Sequence, residues 1–217
     1  ALLSGRDVLA LWPTGAGKSL TYQVPALLMP GLTLVVSPLI ALMEDQVKQL
    51  QKRNLPAAYL SSSQSIQEKT QILNQLKEKQ LKLLFASPER LLEDAFLARL
   101  QTQTISLLAI DEAHCINQWG HDFRSSYLRL GEIVRILRPR SILAVTATAD
   151  PESAQQISLS LGLDRPLLSR LSLDRPNLSY KVIKSASRQR PWLALAHLRH
   201  AKGLPAVIYV ARRNQAE

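Results

Sequence analysis

A glycine-rich segment at residues 13–19, with the sequence Pro-Thr-Gly-Ala-Gly-Lys-Ser, constrains the fold of this chain more than any other feature. The apolar residues 8–12 before it are typical of a buried parallel strand, and the residues from Leu20 onward predict a helix. The glycines therefore fall at a strand-to-helix turn, where backbone N–H groups and the positive end of the helix face an anion. The segment predicts a phosphate-binding turn.

The residue types in this turn suit a nucleoside triphosphate. Gly15 and Gly17 allow a positive φ and a close approach of the backbone to phosphate, the Lys18 ammonium can reach the β- and γ-phosphates, and the Ser19 hydroxyl can ligate Mg²⁺. The strict pattern opens with a glycine where this chain has Trp12, so this motif alone leaves a chance match open. The expected nucleotide-binding residues are Thr14, Gly15, Ala16, Gly17, Lys18, Ser19 and Leu20.

A second motif, Asp111-Glu112-Ala113-His114, supplies the carboxylates that the first motif lacks. It follows the apolar run 105–110, which predicts another central strand, so both acids fall at a carboxyl end, where ligands of open α/β sheets bind. Two acids there are costly unless a cation or a reaction uses them. We expect Asp111 to hold Mg²⁺, directly or through water, and Glu112 to orient and deprotonate the attacking water. The two motifs together predict hydrolysis of a nucleoside triphosphate.

Apolar runs that predict strands alternate with helical patterns along the chain. Strands are expected near 8–12, 32–37, 81–86, 105–110 and 141–146, with a weaker one at 57–60, and helices at 39–51 and 65–79. This alternation predicts an α/β fold with a central, mostly parallel sheet. Asp150 and Pro151 predict a further helix start, and the first domain is expected to cover residues 1–172. The pattern then restarts with a strand at 179–183, a helix at 191–199 and a strand at 206–210, which predicts the beginning of a second domain at 173–217.

The net charge of +10 lies entirely in the second part of the chain. Residues 1–123 are neutral overall, whereas residues 124–217 carry sixteen basic side chains, thirteen of them arginine. Arginine is the side chain best suited to phosphate forks and base stacking, so this segment predicts a polyanion partner. A solvated basic surface is the alternative.

Composition excludes several classes of protein. No apolar run reaches the roughly 18 to 20 residues that cross a bilayer and no signal-peptide pattern begins the sequence, so we expect no membrane partner. The single cysteine, Cys115, excludes an internal disulfide and a multi-cysteine zinc site within this sequence, which agrees with a cytoplasmic protein. Cys115 is expected to pack as a small residue, with a reactive thiol as the alternative.

The order of these motifs resembles that of superfamily 2 helicases, and their details resemble the RecQ family of DNA helicases over essentially the whole chain. The segments that carry the resemblance are 3–8, 18–23, 36–46 (motif Ia), 87–91, 111–124, 146–149 (motif III) and 175–178. The resemblance implies a RecA-like P-loop motor domain and the start of a second RecA-like domain. It also implies ATP and Mg²⁺ as cofactors, single-stranded and partly duplex DNA as partners, and 3′-to-5′ unwinding in DNA recombination and repair.

The residues after the second motif are the most specific part of the resemblance, because segment 115–124 is similar to the aromatic-rich loop of RecQ enzymes. Trp119, His121 and Phe123 offer stacking faces to unpaired bases, and Arg124 offers a cation. We expect these four residues to bind DNA and to communicate with the catalytic base just before them. The alternative is that Trp119 and Phe123 only fill the core beneath a loop.

The resemblance also implies one further DNA contact and four residues that couple hydrolysis to DNA movement. Motif Ia places Ser37 where its hydroxyl could reach a DNA phosphate, although Ser-Pro after a strand is also an ordinary loop start. Thr146 and Thr148 resemble the motif that couples hydrolysis to DNA movement; alone they would be strand-end residues. His114 and Gln118 complete this coupling set.

Parts of the family pattern lie outside the sequence. The glutamine motif that recognises adenine is expected upstream of residue 1, and segment 208–213 looks like the opening of motif IV. The arginine finger, the zinc module and the winged helix would lie further on, so we expect a fragment of a longer reading frame. The rival enzyme is an RNA helicase or duplex translocase, and the rival of another class is a nucleotide- and DNA-binding module without turnover.

Overall fold

The computed structural model describes residues 1–61, 63–116, 124–147, 149–172, 177–200 and 205–210. By its internal contacts the chain divides into two compact units, Ala1–Leu173 and Asp174–Glu217.

Strands and helices alternate through the first unit. The strands are β1 (Val8–Leu11), β2 (Leu32–Val36), β3 (Ala57–Leu60), β4 (Leu83–Ala86), β5 (Ile105–Ile110), β6 (Ile142–Thr146) and β7 (Leu167–Arg170). The helices are α1 (Leu20–Leu28), α2 (Ile40–Gln51), α3 (Ile66–Lys77), α4 (Pro88–Leu91), α5 (Asp94–Gln101), α6 (Ser125–Leu128), α7 (Leu130–Leu137) and α8 (Pro151–Leu161), with short 3₁₀ turns at Leu2–Ser4 and Ala113–Ile116.

Within the described residues, the seven strands of this unit form one parallel sheet in the order β3-β4-β2-β5-β6-β1-β7. Every residue of the five inner strands is buried, because hydrophobic layers cover both faces of the sheet. Leu34 and Leu108 face one layer, while Val35 and Ala109 face the other. The continuous apolar runs of the sequence are the signature of such two-sided burial, and the predicted α/β fold with a parallel sheet is confirmed.

The sequence predicted six strands of this unit and missed the seventh. β7 lies at the sheet edge beside β1, pairs with it in parallel, and is mostly exposed. Its short Leu-Leu-Ser-Arg sequence lacks the apolar run of an inner strand, so only its neighbour β1 makes it a strand. The predicted helix start is confirmed, since the Asp150 carboxylate accepts a hydrogen bond from the Ser153 N–H at 2.7 Å.

Two glutamine side chains hydrogen-bond to the backbone at β3, the strand at the opposite edge of the sheet. Gln51 Nε2 donates to the carbonyl oxygen of Ala57 at 2.9 Å, and Gln64 Nε2 donates to that of Tyr59 at 3.0 Å. Gln64 Oε1 also accepts from the N–H of Ser61 at 3.0 Å. The Gln64 amide thus makes the pair of bonds that a residue of a further strand would make, and it satisfies backbone groups that an edge strand otherwise leaves open.

The second unit contains a 3₁₀ turn at Ser187–Gln189 and helix α9 (Arg190–His200), where a helix was predicted. The strands predicted at 179–183 and 206–210 are wrong, because the structure gives both runs no strand pairing. Tyr180, Val182 and Tyr209 are more than 90% exposed. An apolar run becomes a strand only beside another strand that takes up its backbone hydrogen bonds, and the described part of this unit offers none.

No helix in the described part of the chain combines the length and the apolar character needed to span a membrane.

Candidate active site

The carboxyl ends of four neighbouring strands, β2, β5, β6 and β1, bring the expected site residues to one edge of the sheet. Ser37 follows β2, Asp111 follows β5, Thr146 ends β6, and the glycine-rich turn follows β1. Residues that are far apart in the sequence therefore lie near one another at this edge, because parallel strands all end on the same side of the sheet.

The glycine-rich turn has the conformation of an anion cradle. Gly15 and Gly17 have φ angles of 85° and 82°, which a residue with a side chain rarely adopts. Within the described part of the chain, no carbonyl accepts from the backbone N–H groups of Gly15, Gly17, Lys18 and Ser19. Helix α1 begins directly afterwards at Leu20, with Ser19 at its N-cap. Thr14 and Leu20 are exposed and Ala16 is half-buried at the rim of this turn.

Trp12, where the strict motif has glycine, has a structural role. Its N–H donates to the carbonyl oxygen of Thr146 at 3.0 Å, and its indole Nε1 donates to Ser169 Oγ at 3.0 Å. Trp12 therefore ties the start of the turn to β6 and to β7. The departure from the strict pattern leaves both glycines of the turn, and their backbone conformation, in place.

Asp111 is a buried carboxylate, 8% exposed, and it accepts the N–H of Glu112 at 3.0 Å. Burial, and next the neighbouring Glu112 charge, raise the pKa of Asp111 to about 6, against the opposing effects of the Glu112 N–H, Lys18 and His114. Because Lys18 acts on this carboxylate through space, the turn and the acidic segment belong to one electrostatic site. Because burial makes the ionised form of Asp111 costly, this carboxylate is suited to bind a cation, whose positive charge offsets that cost.

Glu112, His114 and Thr146 form a chain of contacts beside Asp111. His114 Nδ1 lies 2.9 Å from Thr146 Oγ1 and 3.3 Å from Glu112 Oε2. Thr146 is fully buried, and its carbonyl oxygen accepts the N–H of Trp12. One residue at the end of β6 therefore contacts both the strand that leads into the glycine-rich turn and the histidine of the acidic segment.

The two described residues expected to bind DNA differ in exposure. Ser37 is buried at 2% exposure, and its Oγ has no hydrogen-bond partner among the described residues. A DNA phosphate reaches this hydroxyl only if the residue becomes exposed. Arg124 is exposed; its Nη1 donates to the carbonyl oxygen of Pro38 at 3.3 Å and its N–H to that of Cys115 at 3.1 Å. Cys115 itself is buried, as expected of a packed residue.

Five expected site residues, Gln118, Trp119, His121, Phe123 and Thr148, lie outside the described residues, as do Arg175 and Pro176 of the hinge-like segment and residues 211–213 of the motif IV segment. Sequence reasoning missed one described residue that contacts the site. The Tyr127 hydroxyl donates to the carbonyl oxygen of Asp111 at 2.9 Å, and Tyr127 is fully buried. An aromatic residue in a four-residue helix carries no sequence signal for such a contact. Among the described residues, no cluster of three or more His, Cys, Asp or Glu side chains is placed to hold a metal ion.

Comparison with known proteins supports the same picture. A family model described as DEAD/DEAH box helicase matches residues 1–157. The ATP-dependent DNA helicase RecQ of Haemophilus influenzae is 44% identical over 218 residues, covering 100% of this chain and 35% of the relative. The Bacillus subtilis protein of the same name is 41% identical over 213 residues, covering 98% of this chain and 36% of the relative. The chain thus spans about a third of the length of these relatives.

The fold also has counterparts among solved structures. The helicase domain of Pyrococcus furiosus Hef superposes with a TM-score of 0.60 at 22% identity, covering 80% of this chain and 36% of that chain. With this RecA-like helicase fold, and with the family model matching most of its length, the chain belongs to the DEAD/DEAH box helicase family and is similar to the RecQ helicases from end to end.

Proposed function

We propose that this chain contains the first motor domain of a RecQ-type DNA helicase, which couples ATP hydrolysis to 3′-to-5′ translocation on single-stranded DNA and to duplex unwinding in recombination and repair. The relatives it matches are named ATP-dependent DNA helicases. The observation that carries the proposal is the position of Thr146, which contacts both Trp12, just before the glycine-rich turn, and His114 of the acidic segment. A nucleotide held by one motif would thereby be coupled to the acids of the other.

We assign residues 1–172 to a first RecA-like domain and residues 173–217 to the beginning of a second. The division of the contacts at Leu173 and Asp174 supports this boundary. The direction of translocation and the nature of the second domain rest on the resemblance to RecQ enzymes. A cytoplasmic location is part of the same proposal.

The cofactors we propose are ATP and Mg²⁺. Lys18 and the N–H groups of the turn, to which no carbonyl of the described residues bonds, would bind the phosphates, and Ser19 and Asp111 would hold the cation. The residues fit a cation, because the buried Asp111 carboxylate is ionised at a cost that an adjacent positive charge offsets. When bound, Mg²⁺ would neutralise charge on the phosphate oxygens. The remaining contacts would come from Thr14, Gly15, Ala16, Gly17 and Leu20.

The catalytic residues we propose are Glu112 and Lys18. The Glu112 side chain is 25% exposed, so water can reach its carboxylate, and His114 lies beside it. Glu112 would accept the proton of the attacking water, and Lys18 would stabilise negative charge on the terminal phosphates. Both groups act at the same strand ends.

DNA would be bound next to this site. We propose Ser37, Trp119, His121, Phe123 and Arg124 as the DNA contacts, and His114, Gln118, Thr146 and Thr148 as the residues that couple DNA to hydrolysis. Arg124 supports this arrangement, because its own N–H is bonded to Cys115 next to the acidic segment. Partly duplex DNA would be the substrate for unwinding.

The test is a pair of variants in the full-length protein that the proposal implies. Glu112→Gln should keep Mg²⁺–ATP affinity and lose about 100-fold or more in turnover, because the amide keeps the shape without the base. Lys18→Ala should lose nucleotide binding itself. Nucleotide titration and steady-state hydrolysis, with and without single-stranded DNA, measure both effects. Wild-type binding without any turnover would favour the binding module, and stimulation by RNA instead of DNA would favour the rival enzyme.

A further inference from the structure

The peptide group between Asp111 and Glu112 is hydrogen-bonded at both ends. Its carbonyl oxygen, on Asp111, accepts the Tyr127 hydroxyl at 2.9 Å, and its N–H, on Glu112, donates to the Asp111 carboxylate at 3.0 Å. A peptide plane held on both sides cannot rotate without breaking one of these bonds.

This restraint matters because Glu112 has a disfavoured backbone conformation. Its φ is +50°, in the left-handed region that residues with a side chain rarely adopt. Such a conformation persists only where surrounding contacts hold it, and strained residues of this kind cluster at functional sites. The Glu112 carbonyl oxygen is held as well, by the N–H of Cys115 at 2.9 Å. The direction of the Glu112 side chain therefore depends on these backbone contacts.

Tyr127 reaches the acidic segment from α6, which begins one residue after Arg124. Arg124 lies beside the acidic segment, because its N–H donates to the Cys115 carbonyl oxygen at 3.1 Å. Tyr127 makes a second contact with the acidic segment, because its hydroxyl donates to the carbonyl oxygen of Asp111. Arg124, the last of the expected DNA-binding residues, and Tyr127, three residues later, thus both bond to the segment that contains Glu112.

We propose that Tyr127 is a positioning residue for Glu112: its hydroxyl fixes the Asp111–Glu112 peptide and so holds the glutamate in the orientation that activates water. This role rests on the proposed function of Glu112 as the base. The N–H of Tyr127 donates to the carbonyl oxygen of Arg124 at 2.9 Å, a bond that does not involve the hydroxyl. The Tyr127 hydroxyl acts on Glu112 only through the backbone of Asp111.

Tyr127→Phe is the test, because it removes the hydroxyl and keeps the buried ring. Ser126→Ala is the matched control: it lies on the same helix and loses a hydrogen bond of similar length, 2.8 Å to Glu89 Oε1, which does not involve the acidic segment. The measurements are hydrogen exchange of the backbone at 111–116, Mg²⁺–ATP affinity, melting temperature, and the kcat and KM of ATP hydrolysis in the full-length protein.

We expect exchange at 111–116 to be about tenfold faster in Tyr127→Phe than in the control, which is the effect of losing one hydrogen bond. We also expect kcat to fall about 10- to 100-fold, since small displacements of a catalytic group have effects of this size. KM and nucleotide affinity should stay within twofold. Unchanged exchange, unchanged kcat, or equal losses in both variants would each overturn the positioning role. A wild type that binds no nucleotide is a different result, which removes the proposed function and this role with it.

Discussion

Two aspartates at opposite ends of the sheet show how the same side chain serves a fold and a site. Asp7, at the amino end of β1, accepts the N–H of Ile142 at 2.8 Å on one carboxylate oxygen and the N–H of Asp164 at 3.1 Å on the other. Asp111, at the carboxyl end of β5, accepts the N–H of its own neighbour and is buried so that its pKa rises to about 6. Asp7 connects β1 to its surroundings, whereas Asp111 is maintained at a cost in stability.

The contrast teaches where this fold tolerates polar groups that are costly to bury. The amino-terminal edge of the sheet is occupied by contacts that hold strands together. At the carboxyl-terminal edge lie the buried Asp111 carboxylate and the buried Ser37 hydroxyl, which has no hydrogen-bond partner among the residues that the structure describes. Groups that weaken the fold are retained where chemistry uses them.

The sharpest test of this comparison exchanges each aspartate for asparagine. Asp111→Asn should lower ATP turnover about 100-fold or more by removing a charge from the site, yet raise the melting temperature, because a neutral amide is cheaper to bury. Asp7→Asn should keep nucleotide affinity and lower the free energy of unfolding by about 2 kcal/mol, the scale of a hydrogen bond to a charged group. Thermal melts and hydrolysis assays measure both variants. If both variants raised stability, or both lowered it, the contrast between the two aspartates would be wrong.

Two glycines extend the comparison to the backbone. Gly31 precedes β2 at the amino-terminal edge with a φ of +81°, and an added Cβ would lie 2.5 Å from the Thr104 carbonyl oxygen. Gly17 has a φ of +82°, but its nearest neighbour would be a Leu20 carbon at 3.7 Å. Gly31→Ala should therefore lower the free energy of unfolding by about 4 kcal/mol, from a clash and strain together.

Gly17→Ala should cost about 1 to 2 kcal/mol from strain alone, and it should weaken Mg²⁺–ATP binding because the cradle loses its shape. Denaturant unfolding and nucleotide titration of the two variants give the answer. A stability loss in Gly17→Ala as large as that in Gly31→Ala would show that the turn is as tightly packed as the opposite edge.

A last expected effect is the pH dependence that Asp111 adds to stability. Its pKa rises from an ordinary 3.8 to about 6, so the folded state holds this proton more tightly than the unfolded state. Stability from this group is therefore present below pH 3.8 and falls as the pH rises to about 6, by up to about 3 kcal/mol in the absence of a cation. Denaturant melts of wild type and Asp111→Asn across this range isolate the contribution as a difference. A difference that stays constant with pH would place the carboxylate in contact with solvent.

Much of the first unit could be predicted from the sequence because its inner strands are buried on both faces. A run such as Leu83–Ala86 must be apolar throughout to occupy that position, so the position is visible in the sequence. The sequence pattern did not predict β7, because an exposed edge strand does not need a continuous apolar run. The runs at 179–183 and 206–210 show the converse, because an apolar run predicts a strand only where a neighbouring strand exists to pair with it.

The sequence by itself determined which residues are candidates for the chemistry: a glycine-rich turn between a strand and a helix, followed by a strand that ends in two acids. These residue types at these positions are the ones that suit phosphate binding and water activation. Only the tertiary structure decided how the parts are connected. The contacts of Thr146 with Trp12 and His114, and of Tyr127 with Asp111, join residues far apart in the chain. Such contacts depend on the order of strands in the sheet and on where a short helix packs, and neither leaves a local pattern in the sequence.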